Sequence, residues 1–250
     1  MHLPAFPPSV WVAATLLCLT AAQAEDKHHW TYHGHGGPAE WGTLEQDFAS
    51  CKLGKLQSPV DIRGAKAADL PAIHFDYKPA PLRVIDNGHT IQVDYGAGST
   101  IEVGGKRYEL VQFHFHKPSE EKIAGKSHDM VAHLVHKDAD GKLAVVAVLI
   151  DKGGANPAIA TIWKNLPKEK EKEIEAPATI DASALLPGDK RYYTFQGSLT
   201  TPPCSEDVRW FVLKTPLRIE SSQIAAFGKL YPMNARPTQA LNGRSIEVSR

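Results

Sequence analysis

Gln112-Phe113-His114-Phe115-His116 places two imidazoles two residues apart among apolar residues. Successive side chains of a β-strand point to opposite faces, so His114 and His116 project from one side while Phe113 and Phe115 take the other. A second strand-like run, Met130 to His136, follows a short polar connection and carries His133. Antiparallel pairing of the two runs brings His133 beside the first pair. Three neutral imidazoles leave one position of a tetrahedral zinc ion open, and an open position marks a catalytic rather than a structural zinc. No pair of cysteines has the spacing of a zinc finger. These residue types at this spacing point to zinc-activated water. His136 lies three positions past His133, on the opposite strand face, and reads as structural.

Around this pair of runs the chain has the makings of one domain. Its 250 residues are 42% hydrophobic and 22% charged, enough apolar material for a sizeable core. Lys plus Arg equals Asp plus Glu at 28 each, so charge gives no reason to expect a nucleic-acid partner. Residues 1–24 differ from the rest. Val10 to Thr20 is an apolar core and Ala22-Gln23-Ala24 a small-residue cleavage signature, the pattern of a signal peptide cut before Glu25. The segment is too short to span a membrane comfortably, so the mature protein is expected in the periplasm or outside the cell with no membrane attachment. Cleavage removes Cys18 and leaves Cys51 and Cys204, which in an oxidising compartment read as one disulfide.

The elements that would position the histidines are short and mostly strand-like. Leu82–Ile85, Ile91–Tyr95, Ile101–Val103 and Tyr108–His116 are separated by turn signals such as Asp86-Asn87-Gly88 and Gly104-Gly105. Leu143–Ile150 is wholly apolar, as in a central strand buried on both faces. Gln196–Thr201 and Val208–Lys214 are further strand candidates. Asn156-Pro157 opens a short amphipathic helix carrying Ile159, Ile162, Trp163 and Leu166, and Ser221–Leu230 is a second helix. Lys168 to Glu173 alternates in charge and reads as a solvated surface. Glu25 to Pro38, rich in His, Gly and aromatics, reads as an irregular arm anchored by Trp30 and Tyr32. The expected fold is α+β but mainly β: a single domain, 25–250, with a large twisted, mostly antiparallel sheet and small peripheral helices.

Seven short motifs then occur in a telling order: His29-Trp30-x-Tyr32, Gln57-Ser58-Pro59-Val60-Asp61-Ile62, Asn87-Gly88-His89, Gln112 to His116, Ala132 to His136, Gly197 to Pro203, and Asn234-x-Arg236-Pro237. Together they resemble the α-class carbonic anhydrases, over essentially the whole mature chain, and Cys51 and Cys204 resemble the disulfide of the bacterial branch. The resemblance implies cis peptide bonds at Ser58-Pro59 and Pro202-Pro203. It also implies reversible hydration of CO2 to bicarbonate by a zinc-bound hydroxide, with His114, His116 and His133 as the ligands. Carbonic anhydrases are themselves the standard instance of zinc bringing the pKa of bound water to about 7. By the same resemblance Thr200 and Glu120 orient the hydroxide. His89 shuttles the proton to solvent along a path lined by Tyr32, Asn87 and Gln92, and Val135, Val145, Leu199, Thr201, Val208 and Trp210 form the substrate pocket. Gln112 supports His114 from behind.

One position departs from the family pattern. The residue two before the third ligand is normally a glutamate serving that ligand's ring, and here it is Val131, which cannot accept a hydrogen bond. Glu121, just after Glu120, is expected to supply the missing carboxylate to Nδ1 of His133. A different class of function, a zinc-binding module of the same fold with little turnover, is the alternative reading, and zinc capture by His28, His29, His33 and His35 is a third. A homodimer is compatible with the chain.

Overall fold

The computed structural model describes His2 and residues 30–250; the expected signal peptide apart from His2, Cys18 with it, and the histidines at 28 and 29 lie outside the described residues. Thirteen of the strands among the described residues build one mixed sheet, with a small three-stranded sheet beside it. Lys106–His116 and Met130–Lys137 pair antiparallel at its centre, flanked by Ile91–Asp94 on one side and Leu143–Lys152 on the other. The order continues through Val208–Leu213 to Tyr192–Gly197. Pairing is mostly antiparallel, with parallel neighbours where Leu143–Lys152 meets Val208–Leu213 and Leu217–Ile219, and where Glu247–Ser249 meets Lys66–Ala68.

The two faces of this sheet bury different clusters. On one, Phe113, Phe115, Ala132, Leu134, Val146 and Val148 join the larger core under the helices Pro157–Lys164 and Ser221–Leu230. On the other, Val131, Val145, Ala147, Leu149, Phe195, Val208, Trp210 and Val212 form a second cluster. Odd and even apolar residues of Met130–Lys137 and of Leu143–Lys152 divide between the two, as strand parity requires.

Local signals are realised closely. Asn156 caps its helix by accepting the Ile159 N–H at 3.1 Å, with Pro157 as first helical residue. Ser221–Leu230 starts with a reciprocal capping box between Glu220 and Gln223. Lys168 to Glu173 is exposed. The Gln196–Thr201 strand is corrected: pairing covers Tyr192–Gly197 and stops there. Ser198 exchanges hydrogen bonds with Ser58 instead, Ser58 N–H to Ser198 Oγ at 2.9 Å and Ser198 N–H to Ser58 Oγ at 3.2 Å. Gly197 permits this approach, since a Cβ there would lie 2.2 Å from Ser58 Oγ and 2.8 Å from the Trp210 ring. The peptides Ser58-Pro59 and Pro202-Pro203 are cis, as is Lys117-Pro118.

Cys51 and Cys204 are bonded across 153 residues of sequence, tying the short helix Ser50–Leu53 to the loop that carries Thr200. The bond fits an oxidising compartment. No helix among the described residues is long and apolar enough to cross a membrane. Replacing both cysteines with serine should lower the unfolding free energy by about 2–5 kcal/mol. Urea unfolding with and without reductant measures this, and an unchanged midpoint would show that the neighbouring hydrogen bonds hold the loop unaided.

Candidate active site

The strand register assembles the histidine cluster. His133 lies directly across from His114, and His116 faces Val131, one step along the same face. Gln92 flanks His114 on the other side. The ring centroids of the three histidines stand 4.8–5.5 Å apart. One nitrogen from each can be drawn from a set lying within 4.8 Å of one another.

Each ring is oriented by a partner on its other nitrogen. His114 Nδ1 is 2.8 Å from Gln112 Oε1, and His116 Nδ1 donates to the Asn234 carbonyl at 2.7 Å. His133 uses Nε2, which lies 3.2 Å from each carboxylate oxygen of Glu121. The expected Glu121 contact therefore exists, but on Nε2 rather than Nδ1, because Nδ1 is the nitrogen turned toward the cluster. His116 Nε2 is left buried with no hydrogen-bond partner. A buried nitrogen lone pair without a donor is costly unless a cation takes it up. Burial, reinforced by His133, holds His114 down at about 3, and burial likewise lowers His116, so both are the neutral imidazoles a metal requires. Burial would lower His133 too, but Glu121 and Glu120 outweigh it and raise its pKa. Three imidazole donors with an orphaned lone pair and no thiolate suit zinc.

Glu120 sits on the inner side of the cluster, its Oε2 3.5 Å from His116 Nε2 and 3.8 Å from His133 Nδ1. Its Oε1 accepts the Arg236 N–H at 2.7 Å. Burial pushes this carboxyl up to about 7; His133 opposes that, Glu121 adds to it, and the Arg236 N–H and Thr200 hydroxyl hold it down. A divalent cation at the histidines would add positive charge nearby and favour the ionised form. Thr200 thus stands against Glu120, on a loop anchored at Ser198 and at the disulfide.

The remaining expected residues surround this centre. Val145, Val208 and Trp210 are buried, with Val135 and Leu199 packed on them as an apolar wall, and Trp210 lies 5.0 Å from the His133 ring. Thr201 is half-buried in the same loop, where its carbonyl accepts the Cys204 N–H. Tyr32 is buried and its pKa raised by burial and by Glu120, so its hydroxyl stays protonated. Asn87 Oδ1 accepts the N–H groups of His89 and Thr90, and Asn87 Nδ2 reaches Gln92 at 3.3 Å. His89 stacks on Trp30 with ring centroids 3.6 Å apart. His136 is set apart on the other face, 2.8 Å from the Tyr77 hydroxyl.

Sequence reading gave no role to Asn234 and Arg236, although it singled out their motif. Asn234 also accepts the Lys117 N–H and donates to the carbonyls of His89 and Phe115. The buried guanidinium of Arg236 donates to Gln57 Oε1, the Ser58 carbonyl and the Cys51 carbonyl at 2.7–3.0 Å.

This geometry agrees with what known proteins show. The family model for eukaryotic-type carbonic anhydrase matches residues 36–250. A carbonic anhydrase of Neisseria gonorrhoeae is 44% identical over 251 aligned positions, covering 98% of this chain and 99% of that protein. The chain belongs to the α-carbonic anhydrase family. A carbonic anhydrase of Pectobacterium carotovorum is 42% identical, covering 94% and 97% of the two chains. Among solved structures, a hyperthermostable carbonic anhydrase from a hydrothermal vent chimney superposes with a TM-score of 0.86 at 48% identity, over 89% of this chain and all of that one. For a carbonic anhydrase the histidine trio is the expected metal centre. Metal-free protein should take up one zinc per chain, and His114→Ala, His116→Ala or His133→Ala should each abolish tight uptake, read by calorimetric titration. Full-strength binding in any of these variants would remove that histidine from the site.

Proposed function

We propose that this carbonic anhydrase hydrates CO2 reversibly through a zinc ion held by His114, His116 and His133. The single observation that carries this reading is the buried, partnerless Nε2 of His116 facing two further imidazoles whose outer nitrogens are already engaged. Bound zinc supplies Lewis acidity that makes a coordinated water acidic near neutrality. The chain's own residues do the rest. Thr200, directing its hydroxyl proton to Glu120, would be left as an acceptor and would admit only a hydrogen-bond donor beside the histidines. Glu120 in turn is kept in place by the Arg236 N–H. Val135, Val145, Leu199, Val208 and Trp210 give CO2 an apolar surface that competes poorly for water.

His89 carries the product proton outward, an imidazole being able both to accept and to donate a proton. Its stacking on Trp30 holds the ring at the rim, and Asn87, Gln92 and Tyr32 supply polar atoms between it and the cluster. The cleavage signature before Glu25 and the disulfide support export to the periplasm or beyond, and mass measurement of the mature chain tests the cut.

Stopped-flow CO2 hydration tests the reading. Activity should vanish on chelation and return with zinc. Thr200→Val should lower kcat/KM about 100-fold through lost orientation. His89→Ala should lower kcat on the order of 100-fold while sparing kcat/KM, with imidazole buffer restoring the rate. Zinc uptake without turnover would instead make the protein a binding module.

A further inference from the structure

The third histidine is held differently from the other two. His114 and His116 lean on neutral acceptors, the Gln112 side chain and the Asn234 carbonyl. Nε2 of His133 faces a full carboxylate. On its own strand the neighbours on the same face are Val131 and Val135, both packed in the apolar cluster, and neither can accept a hydrogen bond. The acceptor therefore has to come from outside the strand, and Glu121, fully buried, comes from the segment joining the two central strands.

That segment belongs to another sheet. Immediately after Glu121 the chain forms a small hairpin, Lys122–Ile123 with Lys126–Ser127, which pairs with Asp61–Ile62 and not with the main sheet. Ser119 closes its base. Its Oγ donates to the Glu121 carbonyl at 2.7 Å and accepts the His128 N–H at 2.9 Å, while its own N–H donates to the His128 carbonyl at 3.1 Å. Nδ1 of His128 is 2.9 Å from Asp151 on the neighbouring strand. At the tip, the Gly125 N–H donates to Asp61 Oδ1 at 2.8 Å.

We propose that Glu121 is a positioning residue for the metal, acting through His133, and that the Ser119–His128 clasp at the hairpin base governs how long the site retains zinc. This rests on the reading of the trio as the zinc site. A carboxylate accepting from Nε2 fixes the tautomer that leaves Nδ1 free to ligate, and makes that nitrogen more basic. Mounted on the ligand's own strand, such a carboxylate would share the rigidity of the central sheet. Mounted on a small hairpin, it shares the opening motions of that hairpin, which cost less than unfolding the core. Zinc and the closed hairpin therefore stabilise each other, because each favours the state the other needs.

Transfer of zinc from the loaded protein to an excess of the colorimetric chelator 4-(2-pyridylazo)resorcinol measures retention without reference to activity. Glu121→Gln should lose zinc about 10–100-fold faster than the parent, and Ser119→Ala should also lose it faster. Moving the carboxylate onto the strand, in the double variant Glu121→Val with Val131→Glu, should restore most of the retention. In that background Ser119→Ala should have no further effect, because the hairpin no longer carries the acceptor. Amide exchange across 119–128 should slow when zinc binds the parent and should not respond to zinc in the double variant. Parent-like retention in Glu121→Gln, or an equal effect of Ser119→Ala in both backgrounds, would overturn the proposal. A parent that takes up no zinc would overturn the metal-site reading on which it stands.

Discussion

The pairing register of Lys106–His116 with Met130–Lys137 is the constraint on which everything else depends. With His133 opposite His114, the three imidazoles share a face and Phe113, Phe115, Ala132 and Leu134 share the other. A slip of one residue would put His133 into the apolar core and Leu134 among the histidines. The register is thus enforced from both sides at once, by burial of aromatic and aliphatic surface below and by the cost of burying imidazoles without partners. The irregularity between Val135 and His136 falls just beyond the site, where His136 leaves the pattern to bond Tyr77.

A sheet supplies a row of side chains but cannot close over them, and Glu120, Glu121, Thr200 and Asn234 come to the histidines from irregular segments. Each such segment is fixed by hydrogen bonds between residues far apart in sequence. Asn234 secures the backbone at Phe115, Lys117 and His89. Arg236 secures Glu120 through its backbone and the Cys51–Ser58 region through its guanidinium. Ser198 and Ser58 secure the loop of Thr200, with the Trp210 indole donating to the Ser198 carbonyl at 3.1 Å. Positioning of this kind is accurate because the strands beneath are rigid, and it is vulnerable because each clasp is one or two bonds.

Legibility in the sequence follows this division. The central strands, the two helices and the face assignment of the histidines were readable because period two and capping residues are local signals. The end of the strand at Gly197 is not, since Leu199, Thr200 and Thr201 are residue types that suit a strand, and the pairing gives way where Ser58 approaches from 140 residues away. Glu121 lies beside His133 but against Nε2 and not Nδ1, because sequence does not report how a ring is turned. The task of Arg236 is not legible in its motif, as nothing local says that its partners lie at Cys51, Gln57 and Ser58.

Charge balance gives an independent reason for a cation at the cluster. Glu120 and Glu121 are consecutive and both fully buried, and two adjacent carboxylates in low dielectric repel strongly. The guanidinium of Arg236 is the nearby fixed positive group, but it is spent on neutral carbonyl acceptors and is itself pulled down to about 10 by burial, against the pull of Glu120. His133, with one carboxylate near each nitrogen, could carry one positive charge as a proton and balance only half the pair. A divalent cation on the three imidazoles would add positive charge beside both carboxylates and would also take up the orphaned lone pair of His116. Glu121 is thus a buried neighbour of His133 and not a solvated surface acid.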